Sequence, residues 1–363
     1  MKYSALILLL MIGISTGFSS DIFAVLPVSG EGHYFVSYQN TSDNETAIGI
    51  GLLSPEGELL WERESGTVRG DATDVSACPC FDGGFLTALA FGIGYTDILI
   101  TKWSTTGEVI ASDTISFFCY DSPQNLFQFQ DGYVLMWDSW SSQRGVHLAR
   151  LDQNGSVIET VFAVETLHPA GTALAVEENS FAVAVSPIVA IENPQLTGYG
   201  SVDNVLWSHF LPEKDHEYGD FVVDLSYAPS GELVALWRTM ATGEQPASYC
   251  VTEHSRNGDM LEYYSFPMEE FSDISFAGLQ AGTDIVLMGH SPEESAFWIA
   301  FTDLQGELIE KLSVNLKFIP TGIQFLNDHS FLVTGVEEGS DQTTLLHVSA
   351  AGEVLWAFPE REL

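Results

Sequence analysis

The 363-residue chain is 45% hydrophobic and only 17% charged, with 23 Phe, 12 Tyr and 8 Trp. That composition excludes a disordered chain and is ample for a large core. Its 12 basic residues stand against 50 acidic ones, a formal net charge of −38, and so acidic a surface repels nucleic acid and anionic lipid, whose phosphates bind through Lys and Arg.

The chain starts with MKYSALILLLMIGISTGFSS. One positive charge at Lys2, an apolar run from Ala5 to Ile14 and then Ser15, Thr16, Gly17, Ser19 and Ser20 make the three-part build of a secretory signal peptide. The run is short for a membrane span of about 20 residues. Residues 1–20 are therefore expected to be removed, with cleavage between Gly17 and Ser20. The mature chain, 21–363, is expected to be exported (secreted, or held in the periplasm or cell envelope), not inserted in a membrane, and monomeric.

From Ser54 onward one phrase returns. SPEGELLWERESG is followed by STTGEVIASD from Ser104, DQNGSVIET from Asp152, SRNGDMLEYY from Ser255, LQGELIEKL from Leu304 and SAAGEVLWAF from Ser349. The turn glycines are Gly57, Gly107, Gly155, Gly258, Gly306 and Gly352, spaced by 50, 48, 103, 48 and 46 residues. The interval of 103 is two periods, and SVDNVLWSHF from Ser201 fills the gap with the strand but not the glycine. A second marker, a turn leading into an apolar strand, keeps step: FDGGFLTALAF at Phe81, QDGYVLMW at Gln130, SGELVALW at Ser230 and GTDIVLMG at Gly282 among others. Two markers with one period of about 49 residues point to a solenoid, propeller or array.

Each unit divides into four short strands joined by Gly, Asp, Asn and Ser turns. In the second unit these are Asp74–Cys80, Phe85–Phe91, Asp97–Trp103 and Glu108–Thr114. The second strand of each unit is apolar on both faces, as a strand covered on both sides must be, and no stretch carries a helical period. The expected fold is all-β, a seven-bladed β-propeller of four-stranded antiparallel blades set round a channel. The blades fall at roughly 21–68, 69–114, 115–163, 164–212, 213–266, 267–314 and 315–363. Closure is expected to use a complete last blade, not a strand exchanged between the chain's two ends.

The Gly-x-x-x-Trp pattern at Gly57/Trp61 and Gly352/Trp356, with the Asp-Gly-Gly turn at Asp82–Gly84, resembles quinoprotein-like and WD40-like propeller repeats. In quinoprotein propellers the tryptophan docks between blades. Ala111, Glu159, Glu262 and Glu310 hold that place in four other copies, so docking is expected to be partial. The resemblance covers residues 21–363 and is architectural; it brings no active-site residue, and fold alone assigns no function.

Topology separates two ends of each blade. The stereotyped turns lie at one end, and the second-to-third-strand loops and blade connections lie at the other, where lengths vary. Binding usually resides on variable loops carried by a rigid scaffold. Candidates on that rim are Trp140 and Arg144 in WDSWSSQR and Asp215, His216, Glu217 and Asp220 in PEKDHEYGD. No cofactor is required; Ca²⁺ is the one ion the acidic loop suits, through Asp215, Glu217 and Asp220. A solvated loop is the simpler reading of that stretch. Trp137 ends an inward strand and belongs to the core, and the loop Ile188–Ser201 is placed to cap the channel or to be a tolerated insertion.

Other features read as structural. Arg69-Gly70-Asp71 lies on a blade connection, and Asp152-Gln153-Asn154-Gly155 falls on the hairpin turn. His33, His209, His254, His329 and His347 lie in or beside strands. Cys78, Cys80, Cys119 and Cys250 are too few for a disulfide scaffold. Buried thiols, or one bridge from Cys119 to Cys78 or Cys80, fit better than a zinc site, which needs about four ligands. No hydrolase elbow, zinc-protease helix or phosphate loop is present. The leading expectation is a non-enzymatic module that binds a protein, peptide or glycan on its variable rim. The alternatives are a propeller hydrolase or lyase acting on glycans or lactones, with carboxylates or a metal at the channel mouth, and a purely structural envelope module.

Overall fold

A computed structural model describes residues 21–28, 32–40, 45–140, 144–166, 169–187, 194–210, 221–239, 248–267, 274–291, 296–326, 329–337, 339 and 343–358. Strands fall into seven four-stranded antiparallel sheets, each ordered 1-2-3-4 along the chain. They span residues 21–69, 71–119, 121–165, 169–210, 221–267, 274–314 and 318–358. The fold is thus an all-β seven-bladed propeller, with no helix among the described residues. Every sheet comes from one continuous stretch, so the first and last sheets exchange no strand. One compact unit holds the first, second and seventh sheets with most of the third; the other holds the fourth, fifth and sixth.

The core lies between neighbouring sheets. Tyr34, Val36 and Ile50 of the first sheet meet Val75, Phe85 and Leu89 of the second. Leu86, Ile98 and Ile100 of the second meet Leu126, Tyr133 and Trp137 of the third. In the other unit Leu196 and Ala184 face Leu233 and Trp237, and Leu236 and Val251 face Ile285 and Trp298. The second strands are buried along most of their length; Phe85–Gly92 has the first sheet on one side and the third on the other. Outermost strands alternate between half-buried and exposed residues.

The repeated phrase is one hairpin turn built six times. A Ser or Asp opens it, at Ser54, Ser104, Asp152, Ser255, Asp303 and Ser349. Its side-chain oxygen accepts the backbone N–H two and four residues on: Asp152 Oδ1 takes Asn154 N at 2.8 Å and Ser156 N at 2.9 Å, and Ser104 Oγ takes Thr106 N at 3.2 Å and Glu108 N at 3.0 Å. The opener's own carbonyl accepts the glycine N–H three residues on, at 2.8–3.0 Å in all six. The glycines have φ between 75° and 85°, the left-handed residue that follows a type I turn in a bulged hairpin. The Asp152 carboxylate is therefore occupied by the turn, as the hairpin reading required.

The glycine also lets the next sheet close up. A Cβ on Gly107 would lie 2.5 Å from the Trp61 ring, one on Gly57 2.5 Å from Trp356, and one on Gly258 2.4 Å from Trp207. Trp356 Nε1 donates to Pro55 O at 2.9 Å. Where tryptophan is missing, other side chains fill the place: Leu86 under Gly155 and Phe266 under Gly306. Tryptophan docking is partial, and Trp207 joins it although its own turn has no glycine at the equivalent place.

Two expectations change. The fourth strand of the second sheet runs Val109–Cys119, past Thr114, because pairing with the third strand resumes after a register shift and sets Cys119 opposite Thr96. The stretch Ile188–Ser201 is not loop throughout. Gln195–Ser201 is the third strand of the fourth sheet, Tyr199 pairing with Phe181. Its glycines hid the pattern, and Gly198 is needed because a Cβ there would lie 2.3 Å from the Trp207 ring.

Cys78, Cys80 and Cys250 are free, buried thiols. Burial raises the Cys78 pKa, and Cys80 is pushed up to about 11 for the same reason, so neither thiol is reactive at neutral pH. A bridge from Cys78 to Cys119 is excluded by register. Cys78 pairs with Leu86 at one end of the second sheet and Cys119 with Thr96 at the other, about 20 Å apart at strand rise, whereas a disulfide holds its Cα atoms within about 7 Å.

The turn makes a direct prediction. Gly94 (φ +79°) has open space where a Cβ would go, whereas Gly107 (φ +75°) has the Trp61 ring. Gly94→Ala should cost about 1 kcal/mol for backbone strain alone. Gly107→Ala should cost about 2–4 kcal/mol, since overpacking adds to the strain. Urea unfolding of both variants measures the difference; equal losses would mean that the ring does not hold the turn.

Candidate functional site

Every first strand carries a register shift near its start. The skipped residues are Phe23, Thr73, Gln124, Ala170, Val223, Ser275 and Thr321. A bulge raises local twist and re-aims the next side chain. Asp74, Asn125 and Asp224 follow three of these bulges; Asn125 and Asp224 are buried, and Asp74 is half-buried. All lie at the loop end of their sheets.

Asp224 has a structural use. Its two oxygens accept Leu225 N and Leu279 N, each at 2.7 Å, which ties the fifth sheet to the sixth. Burial raises its pKa to about 7, against the pull of those two donors.

The second and third sheets differ. Asp121 starts the third sheet and is 1% exposed. Its backbone is clasped by Thr96, whose Oγ1 accepts Asp121 N at 2.6 Å and donates to Asp121 O at 2.7 Å. Thr46 clasps the start of the second sheet in the same way, through Gly70 O and Ala72 N. The Asp121 carboxylate has no such partner, and neither oxygen makes a hydrogen bond of full geometry. Burial raises it to about 6; Ser139 and Trp137 lie near enough to lower it, and Asp97 raises it further. Asp138, paired in register with Ser122, is buried with Oδ1 unpartnered. Burial and then Asp74 drive its pKa well above the usual carboxylate range. Burial also raises Asp74, opposed by hydrogen bonds from Ser122 and Thr73. Four carboxylates thus share one end of two sheets, and none takes part in the four ion pairs found among the described residues.

Rings stand beside them. Tyr95, Tyr120 and Trp140 are 57%, 54% and 42% exposed. The two tyrosine rings lie 5.8 Å apart, and Trp140 N donates to Tyr120 O at 3.1 Å. Ile93 is exposed on the same loop as Tyr95. Tyr120 directly precedes Asp121, and Trp140 directly follows Ser139, the residue paired with Asp121. The patch and the carboxylates are one construction.

Of the residues chosen from sequence, Trp140 lies in this patch and Trp137 is fully buried, as expected. Arg144 is exposed just before the third strand of the third sheet. Asp215, His216, Glu217 and Asp220 lie outside the described residues. Among the described residues no group of three His, Cys, Asp or Glu side chains is placed to hold a metal ion. Sequence reasoning missed Tyr95, Tyr120 and the four aspartates. The cue available was that Thr46 and Thr96, and Asp71 and Asp121, recur at an interval of 50 residues.

The other singled-out groups are structural. His254 bonds Gly258 O at 3.1 Å and Thr252 Oγ1 at 2.9 Å, and Thr252 also accepts Trp237 Nε1. His347 bonds Ser330 Oγ at 2.7 Å and packs against His33 and Trp356. His209 bonds Asn257 O at 3.2 Å, and His329 is an exposed turn residue with φ +66°. Arg69-Gly70-Asp71 runs from one strand into the next across a glycine packed on Gly92. An apolar crevice between the first two sheets, lined by Val36, Ile48, Val75 and Trp103, is too small for more than a water molecule.

No family model matches the chain, and no curated protein matches it in sequence. Solved propellers match its fold. Sqt1 from Chaetomium thermophilum is 14% identical at a TM-score of 0.54, over 86% of this chain and 80% of that one. It has also been solved bound to the N-terminus of the ribosomal protein L10, with a TM-score of 0.52. The β-propeller domain of the Trilobed protease from Pyrococcus furiosus is 14% identical at 0.55, over 92% and 94%. A puromycin hydrolase is 10% identical at 0.57, but the match spans about half of that protein (53%). At these identities the likeness is one of fold.

The buried acids predict a pH dependence. The folded pKa of Asp121 is raised from 3.8 to about 6, and that of Asp224 to about 7. The folded chain therefore binds more protons than the unfolded chain between those limits, and stability falls as pH rises from about 4 to 7. Asp121→Asn should remove the part of that fall below pH 6 and be more favourable, relative to wild type, at pH 8 than at pH 4.5. Asp224→Asn should destabilise at both, because it takes an acceptor from a backbone N–H. Urea titrations at the two pH values test this; an Asp121→Asn effect independent of pH would contradict it.

Proposed function

We propose that this protein is an exported interaction module that holds a protein or peptide segment against the loop end of its second and third sheets. The observation that carries the reading is the exposed patch of Tyr95, Tyr120, Trp140 and Ile93 on a rigid scaffold. Contiguous exposed apolar surface on a folded chain marks an interaction site, and Tyr and Trp are the side chains most often found at binding hot spots. The peptide-bound Sqt1 structure supports a polypeptide ligand, since a propeller of similar build carries one there. The Lys2 charge and the apolar run that follows support export.

Selection of peptides from a random displayed library on the 21–363 chain tests the site. Trp140→Ala should weaken the selected peptides about tenfold, in keeping with loss of an aromatic anchor. Leu60→Ala, on an exposed outer strand of the first sheet, should leave them unchanged. Peptides that bind both variants equally would place the site elsewhere. Export is tested separately by N-terminal sequencing of protein recovered outside the cytoplasm, which should begin between residues 18 and 21; an intact Met1 would refute cleavage.

A further inference from the structure

We propose that the loop-end patch is a receptor for a basic segment, one that lays a lysine or arginine side chain across Tyr95, Tyr120 and Trp140 and towards the carboxylates of Asp97 and Asp121. The inference rests on the docking role proposed above and names its ligand class.

Three features carry it. First, ring faces hold partial negative charge and attract cations within about 6 Å of the centroid; here two tyrosines 5.8 Å apart and a tryptophan on the adjoining strand end offer such faces to solvent. Second, buried carboxyl groups share these strand ends with the rings. Asp121 is buried at the strand start next to Tyr120 with both oxygens lacking a hydrogen bond of full geometry, and Asp138 is buried with one oxygen unpartnered. A buried carboxylate whose donors, here Ser139 and Trp137, fall short of full hydrogen-bond geometry is costly, and native structures rarely keep one without a reason. The four ion pairs among the described residues involve Glu108, Asp82, Asp131 and Glu177, all at the turn ends of their sheets. The acids at this loop end are outside those pairs. Third, the net charge of −38 draws a cationic ligand in and repels an acidic one.

A divalent cation alone is a poorer match, because no three ligating side chains among the described residues are placed around one point. A neutral glycan would use the rings and leave the carboxylates without a role. A guanidinium or ammonium on a flexible stem uses both, through stacking at the surface and charge from behind.

The test measures binding to the 21–363 chain by fluorescence anisotropy at 150 mM salt. Probes are labelled octapeptides of alternating Gly with Arg, with Gln or with Glu, and unlabelled maltohexaose as competitor. The Arg peptide should bind at least tenfold more tightly than the Gln peptide, and the Glu peptide should not bind. The Tyr120→Ala/Trp140→Ala double variant keeps the net charge and should lose about tenfold in Arg-peptide affinity, while Asp97→Asn should lose a few-fold. Equal affinities for the Arg and Gln peptides, both lowered by the double variant, would overturn the basic ligand and leave the docking role standing. Arg-peptide binding unchanged in the double variant would mean diffuse charge attraction and overturn the proposal. Displacement of the probe by maltohexaose, with no preference for Arg, would assign the rings to a sugar and overturn it too. If the library-selected peptides were also indifferent to the double variant, the docking role would fall with it.

Discussion

A four-stranded sheet with two apolar faces cannot bury itself; it needs a sheet on either side. Within each of the two units, the packing of neighbouring sheets meets that need. The second strand Phe85–Gly92 is apolar on both faces because the first and third sheets both cover it. Burial of a side chain the size of Leu or Phe contributes about 1.5–3 kcal/mol, so the contacts of Phe85 with Tyr34, or of Trp137 with Leu86, outweigh any single turn or clasp. The hairpin turns serve the same end. A glycine with positive φ closes the fourth strand and leaves room for a neighbour's ring, so one residue type meets a backbone demand and a packing demand together.

The two ends of each sheet carry different physics. At the turn end, polar groups are consumed locally. Ser or Asp side chains cap backbone N–H groups, His254 joins the Trp237–Thr252 network, and Lys102, nearly buried, pairs with Asp82 at 2.7 Å. At the loop end of the second and third sheets, Thr96 satisfies the Asp121 backbone and leaves its carboxylate over. A region built for stability alone would not bury acids there and set three rings in the open. That asymmetry supports the docking role proposed for one end of the sheets independently of loop length, which was the only sequence argument for the same choice.

Repeat number, strand content and hairpin position could be read from residue order because they depend on local chemistry: glycine spacing, turn formers and β-branched runs. The same local reading failed for Gln195–Ser201, where glycines at positions 198 and 200 read as loop. Gly198 is there for the Trp207 ring, a packing demand invisible to a propensity. Trp140 was legible because it follows an apolar strand that already supplies a core tryptophan. Tyr95 and Tyr120 were not, since each is a single ring in a polar connection and becomes part of a patch only when two sheets stand side by side.

The acids show the limit most sharply. With 50 Asp and Glu in the chain, none stands out by identity, and Asp121 looks like any strand-opening aspartate. Its character comes from burial, from Asp97 nearby and from donors that fall short of full hydrogen-bond geometry, and that depends on residues brought together by the fold. The sequence by itself determined a seven-unit, four-strand repeat with one uniform and one variable end, because those features are periodic along the chain. Only the tertiary structure decided which carboxylates are buried and which rings share a surface, because burial and proximity arise when distant segments pack.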